Sequence, residues 1–184
     1  MHTVETMNSN PENWQQSWLQ WSAQLEPGDV GPAHAEAEIE AAELRLGVRF
    51  PPSYRSFLLA VGGLKNPHFE ASRLLPPSEL RWLRDADVEL VAEWTEPPEQ
   101  FLTFLDLPRG EAEEEGGWVM THLRDALLIS PAGESTLLLL NPSVIRDGEW
   151  QACTFNDWHP GGEIHESFAA MLKSEAAMAR KPND

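Results

Sequence analysis

The sequence predicts an α+β domain in which a largely antiparallel sheet is packed by helices, with an N-terminal helical extension in front. Two observations carry this. The first half holds segments whose apolar residues recur every three or four positions. The second half holds short apolar runs joined by Gly, Pro and Asp turns, with no helix between them. Helices first and consecutive strands later is the order of an α+β fold, not of an alternating βαβ one.

The elements follow in chain order. Asn10-Pro11 can open a helix, because asparagine caps free N–H groups and proline tolerates the first turn. Trp14, Trp18, Trp21 and Leu25 then share one helical face. That stripe reads as packing against the domain, with a binding stripe as the alternative. Glu26-Pro27-Gly28-Asp29 and Gly31-Pro32 form a breaker-rich linker. The expected division is 1–32 as helix and linker, and 33–184 as the main domain.

A second helix is expected from Ala33 to Leu46, with Ile39, Ala42 and Leu46 inward and Glu36, Glu40 and Glu43 flanking. Gly47 stands where a helix C-cap takes positive φ. Pro51 drives Phe50 extended, and Pro52 begins a third helix with Tyr54, Phe57, Leu58 and Val61 on one face. Gly62-Gly63 ends it. Arg73-Leu74-Leu75 reads as a short strand, Pro76-Pro77-Ser78 as the start of a short helix, and Asp85 to Trp94 as helical. Strands are expected at Phe101–Leu107, Trp118–His122, Ala126–Ile129, Leu137–Leu140 and Glu149–Phe155. The runs at Ala126–Ile129 and Leu137–Leu140 are continuously apolar, as in a sheet covered on both faces. Pro131 to Glu134 suits a hairpin turn between them. Asn141-Pro142 is expected to end the strand, Trp158 to Gly162 to be a tight loop, and Ile164 to Arg180 a last helix with Phe168, Met171 and Leu172 inward.

Composition narrows the function. Of 184 residues 41% are hydrophobic, enough for a sizeable core, and 13 Lys and Arg stand against 30 Asp and Glu, a net charge of −17. So acidic a chain repels nucleic acid and anionic membranes and attracts cationic partners. The single cysteine, Cys153, permits no internal disulfide. MHTVETMNSN lacks a basic start and an apolar run, so no signal peptide is expected, and no run approaches a membrane span; a cytoplasmic protein is the simplest reading.

The chain offers little chemistry. Gly133-Glu134-Ser135-Thr136-Leu137 lacks the second glycine of a nucleophile elbow. Neither a G-x-x-x-x-G-K-[ST] phosphate loop nor a G-x-G-x-x-G occurs. Cys153, His159 and His165 have no zinc-site spacing. Asp157, His159 and Glu163 would suit acid–base work, but a loop-capping or turn Asp157 beside an exposed His159 is the favoured explanation. The expectation is no enzyme, no cofactor and no metal.

Glu36-x-x-Ile39-x-x-x-Glu43-x-x-Leu46-Gly47, Phe50-Pro51-Pro52-Ser53-Tyr54-x-x-Phe57-Leu58 and Gly62-Gly63 together resemble the signature of the SUKH superfamily. Arg73-Leu74-Leu75-Pro76, Leu138 to Pro142, Gly148-Glu149-Trp150, Trp158-x-Pro160-Gly161 and Ser167-Phe168 match its later parts in order, so the resemblance spans about Ala33 to Leu172. Gly62-Gly63 departs from the family's usual Asn-Gly. The resemblance implies an antiparallel sheet packed by helices and no catalysis. Bacterial members are commonly immunity proteins that neutralise toxins, often nucleases; fungal relatives are hub-like regulators of cell-wall assembly. The expected function is therefore binding and neutralising a cognate toxin with a basic surface, the alternative a regulatory or scaffold module that binds a host protein. Neither reading has a nucleic-acid or membrane partner. The candidate contact residues are Glu111, Glu113, Glu114 and Glu115 with Trp118 beside them, and Asp147 and Glu149 as a second patch.

Overall fold

The computed structural model describes residues 14–26, 28–65, 71–95, 122–156 and 159–178. They form six α-helices and a five-stranded antiparallel sheet in the order β1-β2-β3-β4-β5. The helices are α1 (Trp14–Ser22), α2 (Glu36–Leu46), α3 (Pro52–Ala60), α4 (Leu83–Ala86), α5 (Val88–Thr95) and α6 (Phe168–Met178). The strands are β1 (Arg81–Trp82), β2 (Leu127–Leu128), β3 (Thr136–Arg146), β4 (Glu149–Asn156) and β5 (His159–His165). The architecture is α+β with an N-terminal helical part.

The sheet is buried on both faces. Leu138 and Leu140 of β3, with Trp150 and Ala152 of β4, join a cluster that includes residues of α1, α2, α3 and α6. Leu137 and Leu139, with Cys153 and Phe155, pack on the opposite face with Leu83, Val91 and Leu123. Trp94 closes that second face, its ring edge-on to Phe155 at 5.3 Å. Strand alternation sends neighbouring residues to opposite faces, so two covered faces demand the unbroken Leu137–Leu140 run.

The first cluster is centred on aromatic rings. Trp18, Phe57 and Phe168 meet at centroid distances of 5.1–5.7 Å, and Tyr54 stands on Phe168 at 4.9 Å. Trp14 stacks on Trp18, and Trp21 meets it edge-on. All three indoles of α1 are buried, so the stripe packs inward. The Trp18 indole N–H also donates to the Ser53 carbonyl at 3.0 Å.

Helix ends follow local rules. Gly47 closes α2 at φ 71°, and Val48 N–H reaches back to the Glu43 carbonyl. Helix α2 starts at Glu36, later than Ala33, because His34 N–H is tied to the Leu58 carbonyl and Ala35 stays extended. Helix α6 starts at Phe168, since Ile164 and His165 are paired in β5, and the Ser167 hydroxyl accepts the Ala170 N–H as a cap. Asp87 divides the Asp85–Trp94 stretch into α4 and α5; its carboxylate accepts the Leu90 N–H.

Several other expectations are corrected by the sheet. Asn141-Pro142 does not end β3. The Asn141 side chain accepts the Ser143 N–H at 2.9 Å, the register shifts between Asn141 and Ile145, and pairing resumes to Arg146. Proline has no N–H to give, so the strand bulges there. Likewise 159–162 is strand, not loop: β5 pairs with β4 from His159 onward, with an irregularity opposite Thr154–Asn156. Arg73–Leu75 makes a bridge from Arg73 to Lys65, a bond from Leu74 N–H to the Leu64 carbonyl and one from Leu75 N–H to the Ile129 carbonyl, and Pro76 stops any further ladder. Pro77–Glu79 is a single 3₁₀ turn. The strand expected at 101–107, and 118–121 of the next, lie outside the described residues; His122 leads into a 3₁₀ turn.

Gly62 explains the departure from Asn-Gly. It sits at φ 76°, which asparagine tolerates, but a Cβ there would stand 1.6 Å from the Pro32 carbonyl oxygen. Gly47 has the same backbone with open space around it. Gly62→Asn is therefore expected to destabilise by about 2 kcal/mol or more and Gly47→Asn by about 1 kcal/mol or less, read by urea denaturation. Equal effects at the two positions would contradict the close approach of the Pro32 backbone.

Candidate functional site

The first turn of α3 gathers more polar contacts than its sequence suggests. Ser53 N–H donates to Glu149 Oε1 at 2.8 Å, and Ser53 Oγ donates to Oε2 at 2.6 Å. With the Trp18 bond to its carbonyl, Ser53 links α1, α3 and β4. Burial pushes the Glu149 carboxyl above the ordinary range, opposed by its two bonds to Ser53.

A second set braces α2 against α3. Glu43 Oε1 accepts the Phe50 N–H at 2.8 Å and Arg55 Nε at 3.2 Å. Arg55 also pairs with Glu36, whose carboxyl it holds below the usual range. Arg45 donates to the carbonyls of Pro77 and Leu80, both at 2.9 Å. The loop before Leu74 is held by Glu134, which accepts the Ser72 N–H at 3.0 Å and its hydroxyl. A polar seam lies under α6, where Thr154 Oγ1 donates to Glu175 at 2.8 Å, Ser174 donates to Glu163 at 3.0 Å, and His165 lies beside both. The spacing of Glu43 seven residues before Phe50 hinted at the first brace. Nothing local pointed to Glu149 or Glu175, whose partners lie 96 and 21 residues away.

The candidate contact residues fall in different places. Glu111, Glu113, Glu114, Glu115 and Trp118 lie outside the described residues. The stretch that carries them, 96–121, holds seven carboxylates against Arg109 alone, a net −6. Its flanks are fixed: Thr95 ends α5, and His122 leads into the Leu123–Asp125 turn, so both roots are on the second face of the sheet. Asp147 and Glu149 do not form one surface patch. Asp147 is exposed in the β3–β4 turn at φ 51°, next to Gly148 at φ 80°, whereas Glu149 turns its carboxylate to Ser53. The side chains of Asp157 and His159 are outside the description. Among the described residues no group of three or more His, Cys, Asp and Glu could hold a metal ion, and no helix is long and apolar enough to cross a membrane.

Residues 34–174 match the SMI1 / KNR4 family (SUKH-1). The chain belongs to that family. The SUKH-1 match opens where His34 is tied to α3 and closes in α6 at Ser174, so it contains the whole sheet and leaves α1 outside. No curated protein sequence matches the chain. The signature positions of the SUKH-1 match have structural tasks here: Glu43 holds the α2–α3 corner, Ser53 holds the sheet, and Tyr54 and Phe57 fill the core.

Glu149 gives a test with a defined sign. A carboxyl raised by burial favours the folded protein while protonated, and that advantage is lost as pH rises through its folded pKa. Glu149→Gln keeps an acceptor for Ser53 N–H and carries no charge. It is expected to match or exceed the wild type at pH 7, with a margin that shrinks toward pH 4. Glu149→Ala loses both bonds and is expected to cost about 1–3 kcal/mol at pH 7. Denaturation at the two pH values reads the difference, and a Gln variant as weak as Ala at pH 7 would show that the charge itself is required.

Proposed function

We propose that this SUKH-1 chain is an immunity protein: it binds a cognate bacterial toxin in the cytoplasm and neutralises it by occupying a basic surface, without a cofactor and without turning over a substrate. The observation that carries the reading is the distribution of negative charge. The described acids that reach inward, Glu43, Glu149 and Glu175, are bonded to backbone or hydroxyl groups of the fold. The densest run of carboxylates, Glu111 to Glu115, belongs to a stretch rooted on the second face of the sheet. A nuclease cleft must hold phosphates, and carboxylates can stand in their place. Opposite charge also speeds encounter, which matters against a toxin lethal at low copy number.

The scaffold reading would use α1 as an exposed docking helix. Burial of Trp14, Trp18 and Trp21 removes that support. Co-expression with a toxin encoded beside the gene tests the immunity reading, since survival of the host is expected and failure to rescue counts against it. With the toxin in hand, replacing Glu111, Glu113, Glu114 and Glu115 together by lysine is expected to slow association at least ten-fold at low salt and to flatten its salt dependence. Stopped-flow association at two ionic strengths reads both. An unchanged rate would remove these four residues, and Trp118 beside them, from the interface.

A further inference from the structure

The two halves of α6 meet the sheet by different chemistry. Phe168, Met171 and Leu172 enter the aromatic core. Beyond Leu172 the contacts turn polar: Ser174 to Glu163, and Glu175 to Thr154. Under this second half lies His165, only 8% exposed, and Glu175 is 2% exposed. His165 Nε2 is 3.5 Å from Thr154 Oγ1 on β4, and its Nδ1 is 3.9 Å from Glu163 Oε1 on β5. Glu175 of α6 accepts from the same Thr154 hydroxyl.

We propose that this seam is an acid-sensitive latch for the C-terminal half of α6. The titrating group is His165. Docking of α6 strips water from the ring, and the Thr154 hydroxyl proton that faces this seam is already given to Glu175. Burial therefore holds the imidazole below its ordinary pKa, and the half-exposed Glu163 opposes that only in part. The sign follows from linkage. The docked imidazole takes up a proton less readily than the undocked one below about pH 6.5, so the contribution of His165 to docking weakens as pH falls through that value. Release is local, because the aromatic anchor at Phe168 contains no group that titrates between pH 5.5 and 7.5.

Hydrogen exchange on the full chain tests this, followed by mass spectrometry at pH 7.5 and 5.5 with rates corrected for intrinsic pH dependence. For amides of the last turns of α6, the opening equilibrium is expected to rise several-fold, up to about ten-fold, on acidification, because one unit of pKa difference is a factor of ten. Amides of α2 and α3 are expected to change less than about two-fold over the same interval, since neither helix contains a histidine and the neighbouring His34 is not fully buried. His165→Asn is expected to abolish the pH response. Glu163→Gln, a change at a half-exposed residue that keeps an acceptor for the Ser174 hydroxyl, removes the carboxylate beside Nδ1 and is expected to enlarge it. An α6 whose opening is the same at both pH values, or a response that persists in His165→Asn or is unmoved in Glu163→Gln, would overturn the latch.

Discussion

The structure depends on how the first turn of α3 is fastened. Pro51 and Pro52 set its entry, but a helix start leaves backbone N–H groups without helical partners. Here the Ser53 N–H is taken by Glu149, a carboxylate from the sheet, while the Ser53 carbonyl is taken by the Trp18 indole. One residue thus fixes α3 relative to α1 on one side and β4 on the other. Tyr54 follows immediately and places its ring on Phe50 and Phe168. Among the described residues its hydroxyl finds no hydrogen-bond partner, and its ring fills the core as a large apolar body.

From that joint a division of labour follows. The helical face of the sheet carries the aromatic core and the braces of Glu43, Arg55 and Arg45. The opposite face is covered by α4, α5 and the Leu123–Asp125 turn, and Trp94 and Leu123, the described residues that flank the acidic stretch, pack on it. In a chain of net charge −17, the described acids Glu43, Glu149 and Glu175 hold backbone and hydroxyl groups of the fold. The family's signature residues include the first of these, so its motif describes how the domain is built.

Much of the fold was legible because it obeys local rules. Gly47, Pro51-Pro52 and the Tyr54–Phe57–Leu58–Val61 spacing announce two helices and the corner between them. The leucine run at 137–140 announces a strand buried on both sides. What was misread involves a partner strand. Pro142 and Gly161-Gly162 look like stops in one dimension, yet β4 pairs past both, turning them into irregularities within long strands. Glu149 reads in sequence as part of a surface patch with Asp147, yet Ser53 at the start of α3 bonds its carboxylate and leaves it half-buried. The site remains legible mainly as charge: the density of glutamate at 111–115 is visible in the sequence, and the structure adds the face on which its roots are set.

The central claim is that Trp18 and Glu149, which sit on different elements, act on the fold through Ser53. A double-mutant cycle measures it most directly. Trp18→Phe keeps a ring in place and removes the indole donor; Glu149→Ala removes the acceptor of the Ser53 N–H and hydroxyl. Urea denaturation of the two single variants and the double gives the coupling. Residues that share a partner in this way are expected to couple by about 0.5 kcal/mol or more. Single effects that simply add, within about 0.3 kcal/mol, would contradict the claim that one turn of helix ties the extension to the sheet.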